Sequence, residues 1–181
     1  MQRYYFLKTI LVLMFLALPL SLPAMEYQHN LEAEHMQFSW SIDTDQIHVR
    51  LTAKTSGWVG IGFDPENAMS GANIIIGAVN NGSFTVEDHY ADRKTGHVND
   101  EKAGGVNDVL NPSGSEENGV TVISFSLLLN TGDKYDKQID PDGTTKVMLA
   151  CGGEKDSFKL HHPFRYIYDV NLLTGENKKI K

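Results

Sequence analysis

Two kinds of soft or borderline metal donor stand out in this chain, and their settings differ from those of their neighbours. Met69 lies in the polar turn of GFDPENAMSGANIIIG, residues Gly62 to Gly77, immediately ahead of a strongly apolar run. Methionine is flexible, polarizable and usually buried, so a turn holding one needs either a core to plug or a partner for its sulfur. Seven histidines could supply the other half of a ligand set: His29, His35, His48, His89, His97, His161 and His162. His29 and His35 stand close to one end, His48 falls on the polar side of an alternating run, and nothing beside His89 or His97 in sequence resembles a ligand set. His161 and His162 differ, because FKLHHPFRYIYDVNLL places them between Leu160 and Pro163-Phe164 in apolar and aromatic surroundings that can exclude water.

An imidazole and a thioether on opposite sides of an iron porphyrin give a six-coordinate site. Such a site moves electrons, leaves no open position for oxygen chemistry, and gains a raised reduction potential from the methionine. The chain has no c-type attachment motif, so a haem held this way is bound non-covalently. Met69 with both His161 and His162 would instead suit copper, which accepts thioether and imidazole ligands. Spacing alone chooses neither arrangement, since a methionine and a histidine about ninety positions apart are ordinary.

The elements that must position these residues read as strands. Met36, Phe38, Trp40 and Ile42 share one face of an alternating run, as do Ile47, Val49, Leu51 and Ala53, with Asp43 to Gln46 between the two. Further runs occupy residues 58–63, 73–79, 83–89, 120–128, 146–151 and 166–172, separated by NNG, TGH, NPSG, ENG, TGD and PDG turn chemistry. Short strands at this spacing, with no long amphipathic stretch, predict an all-β chain forming an antiparallel, immunoglobulin-like β-sandwich. The polar segment 97–119 is long for a connection and is expected to be an excursion, shaping either a pocket rim or a solvated loop.

Residues 1–24 carry Arg3 and Lys8, an apolar run from Thr9 to Leu20 and a Leu-Pro-Ala end. This pattern predicts a secretory signal peptide cleaved after Ala24, so that the mature chain begins near Met25, has no membrane span and is periplasmic or secreted. Residues 25–181 then make one domain. Without Arg3 and Lys8 the balance is 14 basic against 23 acidic residues, a formal charge of −9, which argues against nucleic acid as a partner. Cys151 is the only cysteine, so there is no internal disulfide and no thiolate cluster, and its setting in KVMLACGG predicts a buried, inert thiol.

The segments SGWVGIGFDPENAMSGANIIIGAV, FTVEDHYADRKTGHVNDEKAGGVNDV, GVTVISFSLLLNTGDKYDKQID, TTKVMLACGG and KLHHPFRYIYDVNLLTG, in that order, resemble the DOMON domain from about Leu31 to Glu176. The resemblance implies a β-sandwich and, as in many members, a b-type haem held by one methionine and one histidine in an electron-transfer module. It places the methionine at Met69. The histidine, four residues before the arginine that opens the last strand, falls on His161, with His162 as second choice. Arg165 becomes a candidate partner for a haem propionate. Tyr166 stands where a glycine usually follows that arginine, and Pro163-Phe164 replaces smaller residues, which implies a narrower pocket or a tilted macrocycle. The implied partners are redox proteins, such as a membrane cytochrome or a dehydrogenase.

No enzyme constellation is present: there is no Gly-x-Ser-x-Gly elbow, no HExxH and no nucleotide-cradling glycine loop, so the chain is not expected to be an enzyme. The competing expectation is a non-redox sandwich that binds a carbohydrate on Trp40, Trp58 or Tyr90. Such a site needs exposed aromatics, whereas the alternation turns both tryptophans inward.

Overall fold

The alternation of Gln46–Ala53 becomes strand β3, whose side chains are buried and half-buried in strict turn. In this computed structural model, which describes residues 25–159 and 162–181, twelve strands and one short helix follow in chain order. The predicted signal peptide and His161 lie outside the described residues.

One sheet has five strands in the order β1 (His29–Ala33), β2 (Met36–Asp43), β3, β9 (Val120–Leu128) and β8 (Leu110–Glu117). The other has seven: β12 (Asn177–Lys179), β11 (Phe164–Val170), β10 (Thr145–Cys151), β4 (Val59–Phe63), β5 (Asn73–Asn80), β6 (Ser83–Arg93) and β7 (Gly96–Asn99). Every pairing is antiparallel, as predicted. The polar segment 97–119, expected to be an excursion, instead contains most of β7, the four-residue helix α1 (Asp100–Ala103) and all of β8. These elements escaped the sequence pattern because edge strands bury little and so need no apolar alternation. β8 carries Pro112 and a register shift between Leu110 and Ser113, while β12 is three exposed residues, Asn177, Lys178 and Lys179.

The core fills the space between the sheets. Phe38, Trp40, Leu51, Ile61, Phe63, Ile75, Leu127 and Leu149 are all at most 1% exposed within it. Trp40 stacks on Phe38 with centroids 4.4 Å apart, and its indole N–H donates to the Leu172 carbonyl at 2.8 Å. Cys151 is buried in this core, and desolvation pushes its thiol up to about 11, so it is an inert packing residue as predicted.

β4 and β5 break the one-face rule. All five residues of β4 and seven of the eight in β5 are buried, so these strands are covered on both faces. The outer cover is a second apolar cluster of Trp58, Ala72, Ile74, Ile76, Ala78, Ala91 and Met148, with Met69, Ala150, Phe158 and Ile167 packed against it.

Candidate functional site

Register explains why this outer face is smooth. Across the seven-stranded sheet, Ala150 of β10 pairs with Gly60 of β4, which pairs with Ile76 of β5; in the next row Met148, Gly62 and Ile74 align in the same way. Two glycines and an alanine in the middle of a sheet leave a low floor where side chains would otherwise stand. At Gly62 the room is taken up by Met148, whose Cε lies 2.8 Å from the position a Cβ would occupy.

Met69 reaches this floor from a tight turn. Ser70 N donates to Asn67 O at 3.0 Å and Ala72 N to Met69 O at 3.1 Å, while Gly71 N donates to Ala91 O at 2.8 Å. Ala68 and Gly71 take positive φ, 55° and 82°, and a Cβ at Gly71 would come within 2.9 Å of Glu66 Cδ. The turn therefore requires glycine at Gly71. It leaves Met69 half-buried against the outer cluster.

The second wall comes from the segment after β10. Thr55 ties it down: its hydroxyl meets the carbonyls of Gly152 (2.8 Å) and Gly153, and Gly152 N donates to Trp58 O at 2.7 Å. Further on, Phe158 packs on the outer cluster and approaches His89 edge to face at 6.2 Å. His162 is half-buried, with its ring edge-on to Trp58 at 6.3 Å. Arg165 is exposed on β11, paired in register with Ala150 and followed by inward-facing Tyr166, so it stands on the same outer face. Met69, the described member of the histidine pair and Arg165 thus gather on one side of one sheet.

The residues present fit a flat, largely apolar group bearing carboxylates. The floor is smooth and apolar, a thioether and an imidazole flank it, and Arg165 stands at its β11 side. Trp58 Nε1 is buried without a hydrogen-bond partner among the described residues, a donor that a ligand oxygen would satisfy. The same geometry counts against sugar stacking, since Trp40 and Trp58 are 0% and 4% exposed. Tyr90 is half-buried against Tyr135, with centroids 5.1 Å apart.

Two groupings went unread in the sequence. The first is a relay at the β6–β7 end of this face: Glu87 Oε2 lies 2.8 Å from His89 Nε2, and His89 Nδ1 lies 2.8 Å from His97 Nδ1. One Nδ1 must donate and the other accept, so the two rings cannot both be cationic without losing that bond. Burial, reinforced by the neighbouring His89, pushes His97 down to about 4, and burial also lowers His89 against the pull of Glu87. The unfolded chain binds a proton at His97 below about 6.5 while the folded chain does not, so stability falls as pH drops from there toward 4. Between pH 8 and pH 5 the His97 contribution amounts to about 2 kcal/mol. Urea unfolding of wild type and His97→Gln at both values should show that difference disappearing in the variant. Asp92 and Arg93, which also face His97, are common to both proteins, whereas His89 and through it Glu87 lose a partner in the variant, so the comparison reports the coupled pair.

The second grouping is a set of carboxylates between the sheets, with Asp88 and Asp100 both 0% exposed. The signal was available in FTVEDHYADR, where Asp88 occupies an inward position of an alternating strand.

A DOMON domain family model matches residues 32–152. The chain belongs to the DOMON family. DBH-like monooxygenase protein 1 of Homo sapiens is 33% identical over 144 residues, covering 78% of this chain and 23% of the relative, and its Mus musculus counterpart is 29% identical over 146 residues. This DOMON chain therefore spans about a quarter of the length of the curated relatives it matches. Its fold resembles the cytochrome b domain of pyranose dehydrogenase from Coprinopsis cinerea, with TM-score 0.54, 14% identity and coverage of 75% and 77% of the two chains. It also resembles the cytochrome domain of Myriococcum thermophilum cellobiose dehydrogenase, with TM-score 0.56, 12% identity and coverage of 77% and 79%. The antiparallel β-sandwich expected from the strand pattern, and the DOMON type implied by the resemblance, are thus borne out. Among the described residues no helix is long and apolar enough to cross a membrane.

Proposed function

We propose that this DOMON chain is an exported b-type cytochrome module that binds haem on the outer face of its seven-stranded sheet and passes single electrons between partner proteins. The observation that carries the reading is the second apolar cluster, because a β-sandwich has no structural need to bury the outer face of β4 and β5. Met69 and His161 would hold the haem iron, with His162 the alternative imidazole. Bound haem supplies a one-electron ferric/ferrous couple. Met69 contributes a neutral thioether that favours the reduced state, and Arg165 a guanidinium matched to a propionate. Gly60 and Ala150 keep the floor low beside Met148, which fills the space over Gly62, and Trp58 and Phe158 help to close the face to water.

On this reading the chain transfers electrons without turning over a substrate of its own. A dehydrogenase or a membrane cytochrome would supply and remove the electrons, and the chain's acidity favours a partner presenting a basic face. The test is the visible spectrum of the full chain, secreted with haem supplied and then reduced. A sharp Soret band with resolved α and β bands is the expected result. A protein that stays colourless after reconstitution overturns the reading.

A further inference from the structure

The acidic group at the end of the sandwich core is independent of the outer face and assembled from four separate parts of the chain. Asp88 comes from β6, Asp100 from the first turn of α1, Asp108 from the link between α1 and β8, and Asp136 from the link between β9 and β10. One carboxylate oxygen from each of Asp88, Asp108 and Asp136 lies within 4.8 Å of the others.

Surface acidic clusters are common and carry no meaning by themselves, but this one is different in its unmet bonding. Asp88 is 0% exposed; one of its oxygens accepts from Asp108 N at 3.1 Å, and the other, Oδ1, has no partner among the described residues. Asp100 is also 0% exposed and both its oxygens are unpartnered among the described residues, whereas Asp136 has Thr131 and Asp108 beside its carboxylate. A buried oxygen without a donor costs about 1–3 kcal/mol, and several together are not a plausible resting arrangement for a folded core. Gly105 lies at the same place: a Cβ there would meet the Tyr135 ring at 2.8 Å, Asp133 Oδ2 at 3.0 Å and Asp100 Oδ2 at 3.1 Å. Asp133 is otherwise committed to the loop, accepting from Val106 N and Tyr135 N at 2.8 Å each.

We propose that Asp88, Asp108 and Asp136, with Asp100 beside them, form a structural calcium site that pins the α1 segment and the β9–β10 link to β6. The ligand atoms are all hard oxygens, which favours hard cations over the soft and borderline metals that prefer sulfur or nitrogen. Calcium at about 2.4 Å from each oxygen places opposite ligands about 4.8 Å apart, and it accepts an irregular shell of carboxylates. Magnesium demands a smaller octahedron and keeps several waters, which two fully buried aspartates leave little room for. Without a cation the group can relieve its repulsion only by holding protons: burial, with the neighbouring carboxylates, pushes Asp88 up to about 8, Asp100 to about 7 and Asp136 to about 6.

The experiment uses the purified full chain stripped with a chelator, then dialysed against calcium alone or magnesium alone and melted. Calcium at a hundred times its Kd should bind one ion per chain and raise Tm by about 5–10 °C, with a smaller effect from magnesium. Asp108→Asn and Asp136→Asn should lose the calcium response while melting no lower than stripped wild type, because each removes one of the repelling charges. That opposite sign separates a lost ligand from a damaged fold. If one variant fails to fold the other decides, and stoichiometric dialysis of wild type stands without either. No binding and no shift in wild type, or a full shift in both variants, overturns the site; an equal response to magnesium overturns its assignment to calcium. Haem content is read separately, so failure here leaves the cytochrome reading untouched.

Discussion

His161→Ala, produced with haem supplied, should on the proposed ligation lose most of its Soret absorbance, because an imidazole would be the stronger of the two donors to the iron. Met69→His should keep its haem and show a lower reduction potential, by on the order of 100 mV within the roughly 0.8 V range that axial ligation spans. His162→Ala should retain a near-normal spectrum with its ring contact to Trp58 removed. The three outcomes separate the adjacent histidines. Loss of the band in His162→Ala with His161→Ala intact would move the ligand by one position, and it would agree with His162 being the member seen against the outer cluster. Unchanged haem in both would end the ligation hypothesis. Met69 is informative because its turn is independent of the histidine segment: the backbone bonds around Asn67, Ser70 and Gly71 do not use its side chain, so Met69→His should fold normally.

The largest stability effect should come from Trp40→Ala. Trp40 is 0% exposed, stacked on Phe38, and donates to the carbonyl of Leu172, itself 0% exposed. Truncation removes a large buried ring and leaves a cavity, which costs about 3–5 kcal/mol, and it strands a buried acceptor as well. For a domain of this length that corresponds to a fall in Tm of about 10–15 °C. Trp40→Phe keeps the stack and loses the donor, so its cost should be about 1–3 kcal/mol, most of it from the unpaired carbonyl. Urea melts of the two variants, compared with wild type, divide the residue's contribution between packing and the single hydrogen bond.

How much of this was legible depended on what each element buries. β9 was read to the residue as 120–128, and β2, β3, β5 and β10 to within one, because their alternation or apolar content reflects a buried face. β1, β7, β8 and β12 were missed, since an edge strand with one neighbour and a solvated face needs no pattern. The uninterrupted IIIGAV of β5 was read as a strand, yet its lack of alternation also carried the information that both faces are covered, and that second cover is the proposed site. Met69 was singled out for being apolar in a polar turn, and the structure places it on that cover. The assignment of His161 rests on the family spacing to Arg165 and lies outside the described residues. The carboxylates went unrecognised because Asp88, Asp100, Asp108 and Asp136 are dispersed among many acidic residues, and only the fold brings them together.

The proline and register shift of β8 and the lysines of β12 bear on how copies of this molecule meet. A growing cross-β fibre recruits each new chain through a straight, unpaired rim of N–H and C=O groups. On the five-stranded sheet, Pro112 removes one of those donors and the irregular step between Leu110 and Ser113 bends the rim out of line. On the seven-stranded sheet, a copy approaching β12 would bring Lys178 and Lys179 against their own counterparts. Through these two edges, concentrating the protein should therefore yield discrete particles rather than fibrils, so that any partner meets the molecule on its faces instead of by adding a strand there.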